Sequence, residues 1–464
     1  MRNILLVEPD YRSKFPPLGL LRLATYHKHH GDKVTFVRGR SEALRALNWH
    51  RIYVSSLFTY ELPRTAKTVR FYRASVDADD DIVVGGIGAT LLPKYISDRA
   101  ACRVIIGPLS RPRMIDREAV PIAKYLPDYS IIDSCAYDYR PQDSYFCRVT
   151  VGCVRKCAFC AVPTLEPRFG YFQPLKSQVA SIIEAFGERQ HLVLLDNNIL
   201  ALERLDTVCD QVAALGFESG ATREGKKRAV DFNQGIDARL ITRHIAKRLG
   251  RLAVSPIRLA FDFRGMESAY RKAVAYLADE GFTEFTNYVM FNFRDSPRDF
   301  YERMRVNLEL SSEFGIRVTG FPMKYTPITD LNRRHIGERW KWRYLRGIQC
   351  VLLATHGLVS PNTEFFNAAF GASFEQFLEI LSMPDRYITY REHYKDNGAH
   401  ADWRKKFRRL SEARRDEFLN LLASLNRDRK RSQTIDRLCQ FRSLLEHYYP
   451  DGKTAPRTPD EEPF

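Results

Sequence analysis

The sequence predicts an α/β protein with an N-terminal doubly wound parallel sheet, a central (β/α)6 partial barrel and a helical C-terminal domain. Three observations lead there. Short β-branched runs alternate with helix-spaced segments through residues 1–330, a Pro/Tyr/Asp-rich stretch interrupts that alternation once, and the alternation stops near residue 331. Short continuous apolar strands separated by helices are the pattern of parallel sheets covered on both faces.

In the first segment, 1–130, the strands are Ile4–Val7, Val34–Val37, Ile52–Ser56, Ile82–Gly86 and Val104–Gly107. Gly19–His30 and Pro63–Ser75 carry helical spacing between them. Gly85, Gly86, Gly88 and Gly107 follow two of these strands. They permit either a tight strand-to-helix turn or a close approach of a ligand to the carboxyl edge of the sheet. Residues 131–145 read as a linker. From 146 to 330 a second series begins. Its strands are Phe146–Val151, Leu192–Asp196, Arg228–Gln234, Ile257–Phe263, Phe285–Phe293 and Ile316–Tyr325, with amphipathic helices such as Leu175–Phe186 and Leu202–Leu215 between them. Units of this length suit a partial barrel of the TIM type, whose chemistry sits at the carboxyl ends of the strands. Asp196-Asn197-Asn198, Asn233-Gln234, Asp262, Asn292 and Lys324 fall at those ends. Residues 331–455 are helical in pattern, and 456–464 read as a disordered tail.

Of the 464 residues, 44% are hydrophobic and 28% charged, the balance of a soluble globular chain. No apolar run is long enough to span a bilayer. The start, Met1-Arg-Asn-Ile-Leu-Leu-Val-Glu8, turns acidic too soon for a signal peptide, so a cytoplasmic location and no membrane partner are expected. The formal charge of +16 is concentrated late, in Arg404-Lys-Lys-Phe-Arg-Arg409 and Arg427-Asp-Arg-Lys-Arg431. Such runs read as solvated helix faces or as contacts to an anionic partner such as RNA.

The nine cysteines are scattered except for Cys153-Val-Arg-Lys-Cys157-Ala-Phe-Cys160, on a loop just after a predicted strand. A long chain with sparse cysteines is not a disulfide scaffold, and clustered intracellular cysteines point to metal ligation. Structural zinc takes four closed ligands, and no second pair accompanies these three. A buried core cluster would not place Arg155 and Lys156 between its members. Three thiolates on a cube of four irons leave one iron open, whereas four suit electron transfer. Cys350 with His356, and Lys324 with Tyr325, are weaker candidates, each also read as core packing or a surface lysine.

The spacing C-x-x-x-C-x-aromatic-C, with Phe159 as the aromatic, resembles the radical S-adenosylmethionine (SAM) superfamily. The resemblance implies a [4Fe–4S] cluster on Cys153, Cys157 and Cys160. Its open iron would hold SAM, and an external electron donor would drive cleavage to a 5′-deoxyadenosyl radical. It further implies that Phe159 flanks the adenine. Asp196, Asn197 and Asn198 would stand where the family often has Gly-Gly-Glu for the SAM amino group. Gln234 and Arg239, in Asp231-Phe-Asn-Gln-Gly-Ile-Asp-Ala-Arg239, would meet ribose and carboxylate. Residues 1–130, through Pro16-Pro-Leu-Gly-Leu20 and Val83-Val-Gly-Gly-Ile-Gly-Ala-Thr90, resemble the cobalamin-binding domain fused to one branch of that family. This allows cobalamin as a further cofactor and methylation as the reaction. The loop that supplies an axial histidine in that domain reads Asp10-Tyr-Arg-Ser-Lys-Phe15 here, without one. The substrate is left open, with RNA or a nucleotide-containing molecule favoured by charge. The alternative is a nucleic-acid-binding protein with a structural or redox-sensing cluster.

Overall fold

The computed structural model describes residues 1–116, 118–133, 135–427 and 439–449. The basic run at 427–431, apart from the backbone of Arg427, and the tail expected at 456–464 lie outside them. By its internal contacts the chain divides into two units. One comprises Met1–Arg258 with Pro327–Arg333, and the other Leu259–Thr326 with the chain from Arg334 onward.

The first unit opens with β1 (Asn3–Glu8), α1 (Leu18–His29), β2 (Lys33–Arg38), β3 (Arg51–Ser55), α2 (Leu62–Tyr72), β4 (Ile82–Gly85) and β5 (Arg103–Val104). The five strands form one sheet in the order β2-β1-β3-β4-β5, and every pairing is parallel. This is the expected doubly wound sheet. Leu5, Val7, Ile52, Val54, Ile82 and Val84 pack on Leu62, Ala66, Val69 and Tyr72 of α2. Ile4 and Leu6 are equally buried on the opposite face, where α1 lies against β1. Burial on both faces is why these strands read as unbroken apolar runs. Strand order reverses between β1 and β3, the switch point at which such sheets open a crevice at their carboxyl edge.

The second strand series begins with β6 (Ser144–Cys147), β7 (Thr150–Val151), β8 (Gly170–Tyr171), α3 (Leu175–Phe186), β9 (His191–Leu194), α4 (Leu205–Val212), β10 (Ala229–Phe232) and α5 (Arg243–Gly250). β10, β9 and β6 form a three-stranded sheet, parallel throughout. The helix expected to reach Leu215 is α4, which passes into a wide turn over Ala213–Phe217 because Gly216 is left-handed at φ 80°.

β11 (Ile257–Ala260), α6 (Glu267–Asp279), β12 (Glu284–Phe291), α7 (Pro297–Phe314) and β13 (Arg317–Lys324) follow, and β11-β12-β13 form another three-stranded sheet. All six expected strands are therefore present, in two three-stranded ladders, and β10 makes a further parallel bridge, Val230 with Val254, just before β11. α7 shows how local sequence sets an element. Ser296 caps it in a reciprocal box with Asp299, Pro297 opens it, and left-handed Gly315 (φ 64°) ends it. Beyond residue 334 the second unit is helical. Its core joins Val289, Phe291 and Phe300 to Phe366, Phe370, Phe377, Trp403 and Phe418. Among the described residues no helix is long and apolar enough to cross a membrane.

Candidate functional site

Register brings the candidate residues together. Cys147 of β6 pairs with Leu194 of β9, and Leu194 pairs with Phe232 of β10, so the three strands end at one level. The segments that leave this edge are the cysteine loop, Asp196-Asn197-Asn198 and Asn233–Arg239. The cysteine loop is closed at its base by β7 and β8, which pair antiparallel. Gly152 starts it in the left-handed region (φ 70°), and a Cβ there would lie 2.2 Å from the Arg168 carbonyl oxygen. Only glycine satisfies both demands.

Two carboxylates hold the loop to the strand ends. Asp196 is 4% exposed and accepts hydrogen bonds from Val149 N (3.0 Å), Thr150 N and Thr150 Oγ1 (2.6 Å). Burial pushes its carboxyl above the usual carboxylate range, against those donors. Its oxygens thus serve the loop backbone, so the acceptors left for a ligand's ammonium at this strand end are amides. Glu166 pairs with both terminal nitrogens of Arg148 and accepts from Gly152 N (2.7 Å) and Asn197 Nδ2 (2.9 Å). Burial alone would raise it, but Arg148 and these donors hold it below its ordinary value. Sequence reading missed Glu166. It follows a short turn in Leu165-Glu166-Pro167, where no local spacing marks it.

The three loop thiols are half-buried. Cys153 Sγ accepts from Arg155 N at 3.3 Å and from Asn198 Nδ2 at 3.5 Å, and Cys160 Sγ accepts from Val162 N at 3.5 Å. Asn198 is 5% exposed, and its Oδ1 has no hydrogen-bond partner. A buried orphan acceptor beside a thiol is costly unless a ligand donates to it. Asn197 spends its amide nitrogen on Glu166, Gln234 is exposed and bonds Asn233 Oδ1 (3.1 Å), and Phe159 is half-buried in the loop. Arg239 places Nε and Nη2 on Asp237 (2.7 and 3.1 Å), and its guanidinium also reaches the Cys157 thiol.

Other cysteines differ. Burial pushes Cys147 up to about 12, and Cys209 and Cys350 up to about 11, so they stay protonated packing residues. Among the described residues no three His, Cys, Asp or Glu side chains converge as they would around one metal ion. The donor set suits a cluster by its chemistry: three half-buried thiols, N–H groups already aimed at two of them, and an unpartnered amide oxygen alongside. A cavity of about 540 Å³ lined by Tyr129, Tyr137, Tyr139, Phe146 and Arg189 contains none of these residues.

In the second unit Asn292, fully buried at φ 71°, binds Tyr325 O, His335 O and Gly337 N. It is a cross-tie between chain segments. The basic stretch at 404–409 is partly neutralised, because Arg404 and Arg408 share Glu379 and Lys406 meets Asp402.

Neither a protein-family model nor a curated protein matches the sequence. Among solved structures, the cobalamin-dependent S-adenosylmethionine radical enzyme OxsB, with aqua-cobalamin and S-adenosylmethionine bound, is similar. The TM-score is 0.50 at 12% identity, over 71% of this chain and 54% of that one. The selenomethionine-labelled apo form gives a TM-score of 0.36 at 13% identity, over 82% and 56%. The chain spans about half the length of that protein. At this identity the first likeness is one of fold.

The carboxyl edge of the N-terminal sheet is filled by the chain itself. Glu8, 1% exposed, accepts from Tyr139 OH and lies 3.6 Å from Arg38 Nε. Tyr11 OH meets Ser55 Oγ (3.0 Å), Tyr137 OH donates to Ser13 O (2.6 Å), and the Arg38 guanidinium stacks on the Tyr137 ring. Gly86 and Gly88 press on Ser56, where an added Cβ would come within 2.4 and 2.6 Å. The glycines here serve a close self-packed turn. No histidine stands in the loop after β1; Glu8 is paired with Tyr139 and Arg38, and Tyr11 with Ser55. Tyr137 and Tyr139 lie against this edge through Ser13, Arg38 and Glu8.

Proposed function

We propose that this chain is a radical SAM enzyme, with Cys153, Cys157 and Cys160 as the three protein ligands of a [4Fe–4S] cluster. The observation that carries the reading is the meeting of this cysteine loop with Asn198 at one strand-end level. An amide donates to Cys153 there and keeps a buried, unpartnered oxygen. When bound, the cluster and SAM supply a 5′-deoxyadenosyl radical after one-electron reduction by an external donor, and that radical abstracts a substrate hydrogen. The chain's own residues orient and shield. Asn198 Oδ1 accepts from the ammonium of SAM. Asp196 and Glu166 hold the backbone from which the loop springs, and Arg148 fixes Glu166. Phe159 borders the adenine, and Gln234, exposed beside the site, is free to meet the ribose. The likeness of fold to OxsB supports the class of reaction, not its substrate.

Methyl transfer through cobalamin is the finer reading, and retention of cobalamin by the purified protein tests it directly. RNA or another nucleotide-containing substrate would meet the exposed cations left after Glu379 and Asp402 have taken their partners.

The reading is tested by anaerobic reconstitution with iron and sulfide, followed by electron paramagnetic resonance of the reduced protein with and without SAM. About four irons per chain and a spectrum altered by SAM are expected from the proposed cluster type. Zinc in place of iron and sulfide, or a cluster spectrum indifferent to SAM, contradicts it.

A further inference from the structure

Between Cys153 and Cys157 the loop carries Arg155, and its guanidinium does not point to solvent alone. Arg155 Nε donates to Asp237 Oδ2 at 3.0 Å, from a residue 82 positions away in sequence. Asp237 is 7% exposed at its side chain and caps the short turn that follows β10. The same carboxylate accepts from Arg239 N (3.1 Å), Arg239 Nε (2.7 Å) and Arg239 Nη2 (3.1 Å). The Arg239 guanidinium in turn interacts electrostatically with the Cys157 thiol. One buried carboxylate therefore ties two guanidinium groups from two segments, one inside the cysteine loop and one against a cysteine. Long arginine side chains lose rotamer freedom when fixed this way, so a shared bidentate partner is what makes their placement definite.

We infer that Asp237 is a positioning residue for the cluster, holding Arg155 and Arg239 so that a fixed cation stands against the Cys157 ligand. This rests on the proposed cluster and concerns its redox poise rather than its existence. An N–H donor and a positive charge at a ligating sulfur stabilise the electron added on reduction, so they raise the reduction potential. Arg239 is thereby engaged by Asp237 and Cys157. The segment Gly235-Ile-Asp-Ala-Arg239 acts as a clasp, with Asp237 as its pin.

The test is a redox titration of reconstituted wild type, R239Q, R239K, D237N and D237E, followed by the cluster's absorbance and its electron paramagnetic resonance. R239Q, at unchanged iron content, is expected to shift the reduced-to-oxidised ratio about tenfold toward oxidised at a fixed potential, which is about 59 mV for a one-electron couple. R239K, which keeps the charge, is expected to retain most of the wild-type potential. D237N is expected to give a heterogeneous spectrum that D237E restores toward a single species. If R239Q loses its iron, R239K and D237N decide by the same readouts. A wild-type potential in R239Q, or a D237N spectrum identical to wild type, overturns the clasp and leaves the cluster assignment standing. Failure of wild type to bind iron and sulfide overturns both.

Discussion

At the residue scale the two carboxylates beneath the cysteine loop, Asp196 and Glu166, do different work from the one the strand-end pattern suggests. Asp196 is legible as a polar residue at a strand terminus, but its partners, Val149 and Thr150, lie 47 and 46 positions earlier in sequence. No local spacing reveals such a pairing, because it is made by the register between β6 and β9. Asn198 kept its expected place, and its orphan Oδ1 makes it the sharper candidate. N198A is expected to keep iron and sulfide while weakening SAM binding about tenfold, the worth of one hydrogen bond to a charged group. Isothermal titration of the reconstituted protein with SAM measures this, and unchanged affinity removes Asn198 from the site. E166Q weakens a half-buried pair with Arg148 and is expected to cost about 1–3 kcal/mol of stability, read by denaturant unfolding. A loss below about 0.5 kcal/mol would show the loop to be held by Asp196 alone.

At the element scale, Tyr137–Tyr139 covers the edge of the N-terminal sheet, a segment that reads in sequence as a linker. What was legible there was the sheet itself: β-branched runs at the right intervals. What was not legible was that the tyrosines after it would supply the edge's polar partners. Glu8 carries a measurable consequence. Burial raises its carboxyl to about 7 from 4.5, against the opposing pull of the Tyr139 hydroxyl and Arg38. A carboxyl raised on folding is more protonated in the native state, so its share of stability is full below about 4.5 and is lost as pH rises through about 7. E8Q is expected to flatten the fall in stability across that window and to be more stable than wild type at pH 8. The expected gain is about 1–3 kcal/mol at roughly 1.4 kcal/mol per pKa unit. Parallel slopes for wild type and E8Q would show that Glu8 does not titrate there. A second element test is S296A at the start of α7, expected to cost about 1 kcal/mol through loss of the cap box.

At the scale of the whole molecule, the alternation of strands and helices and its end near residue 331 were both readable, since each reflects how many faces of an element are buried. Which strands neighbour one another within each ladder was not, because strand composition is blind to which neighbour completes a ladder. The basic charge is also less available than its count suggests. Glu379 and Asp402 neutralise part of the 404–409 stretch through contacts that no linear charge pattern displays. The closeness of the three cysteines, by contrast, was legible from spacing alone, since residues on one short loop are placed by the local chain. The central claim is that this loop carries radical chemistry. Its most direct measurement is 5′-deoxyadenosine formed by the anaerobically reconstituted, dithionite-reduced protein supplied with SAM. Wild type is expected to release it and C157A to release none. A fully loaded wild-type cluster that leaves SAM intact under strong reductant would contradict the claim.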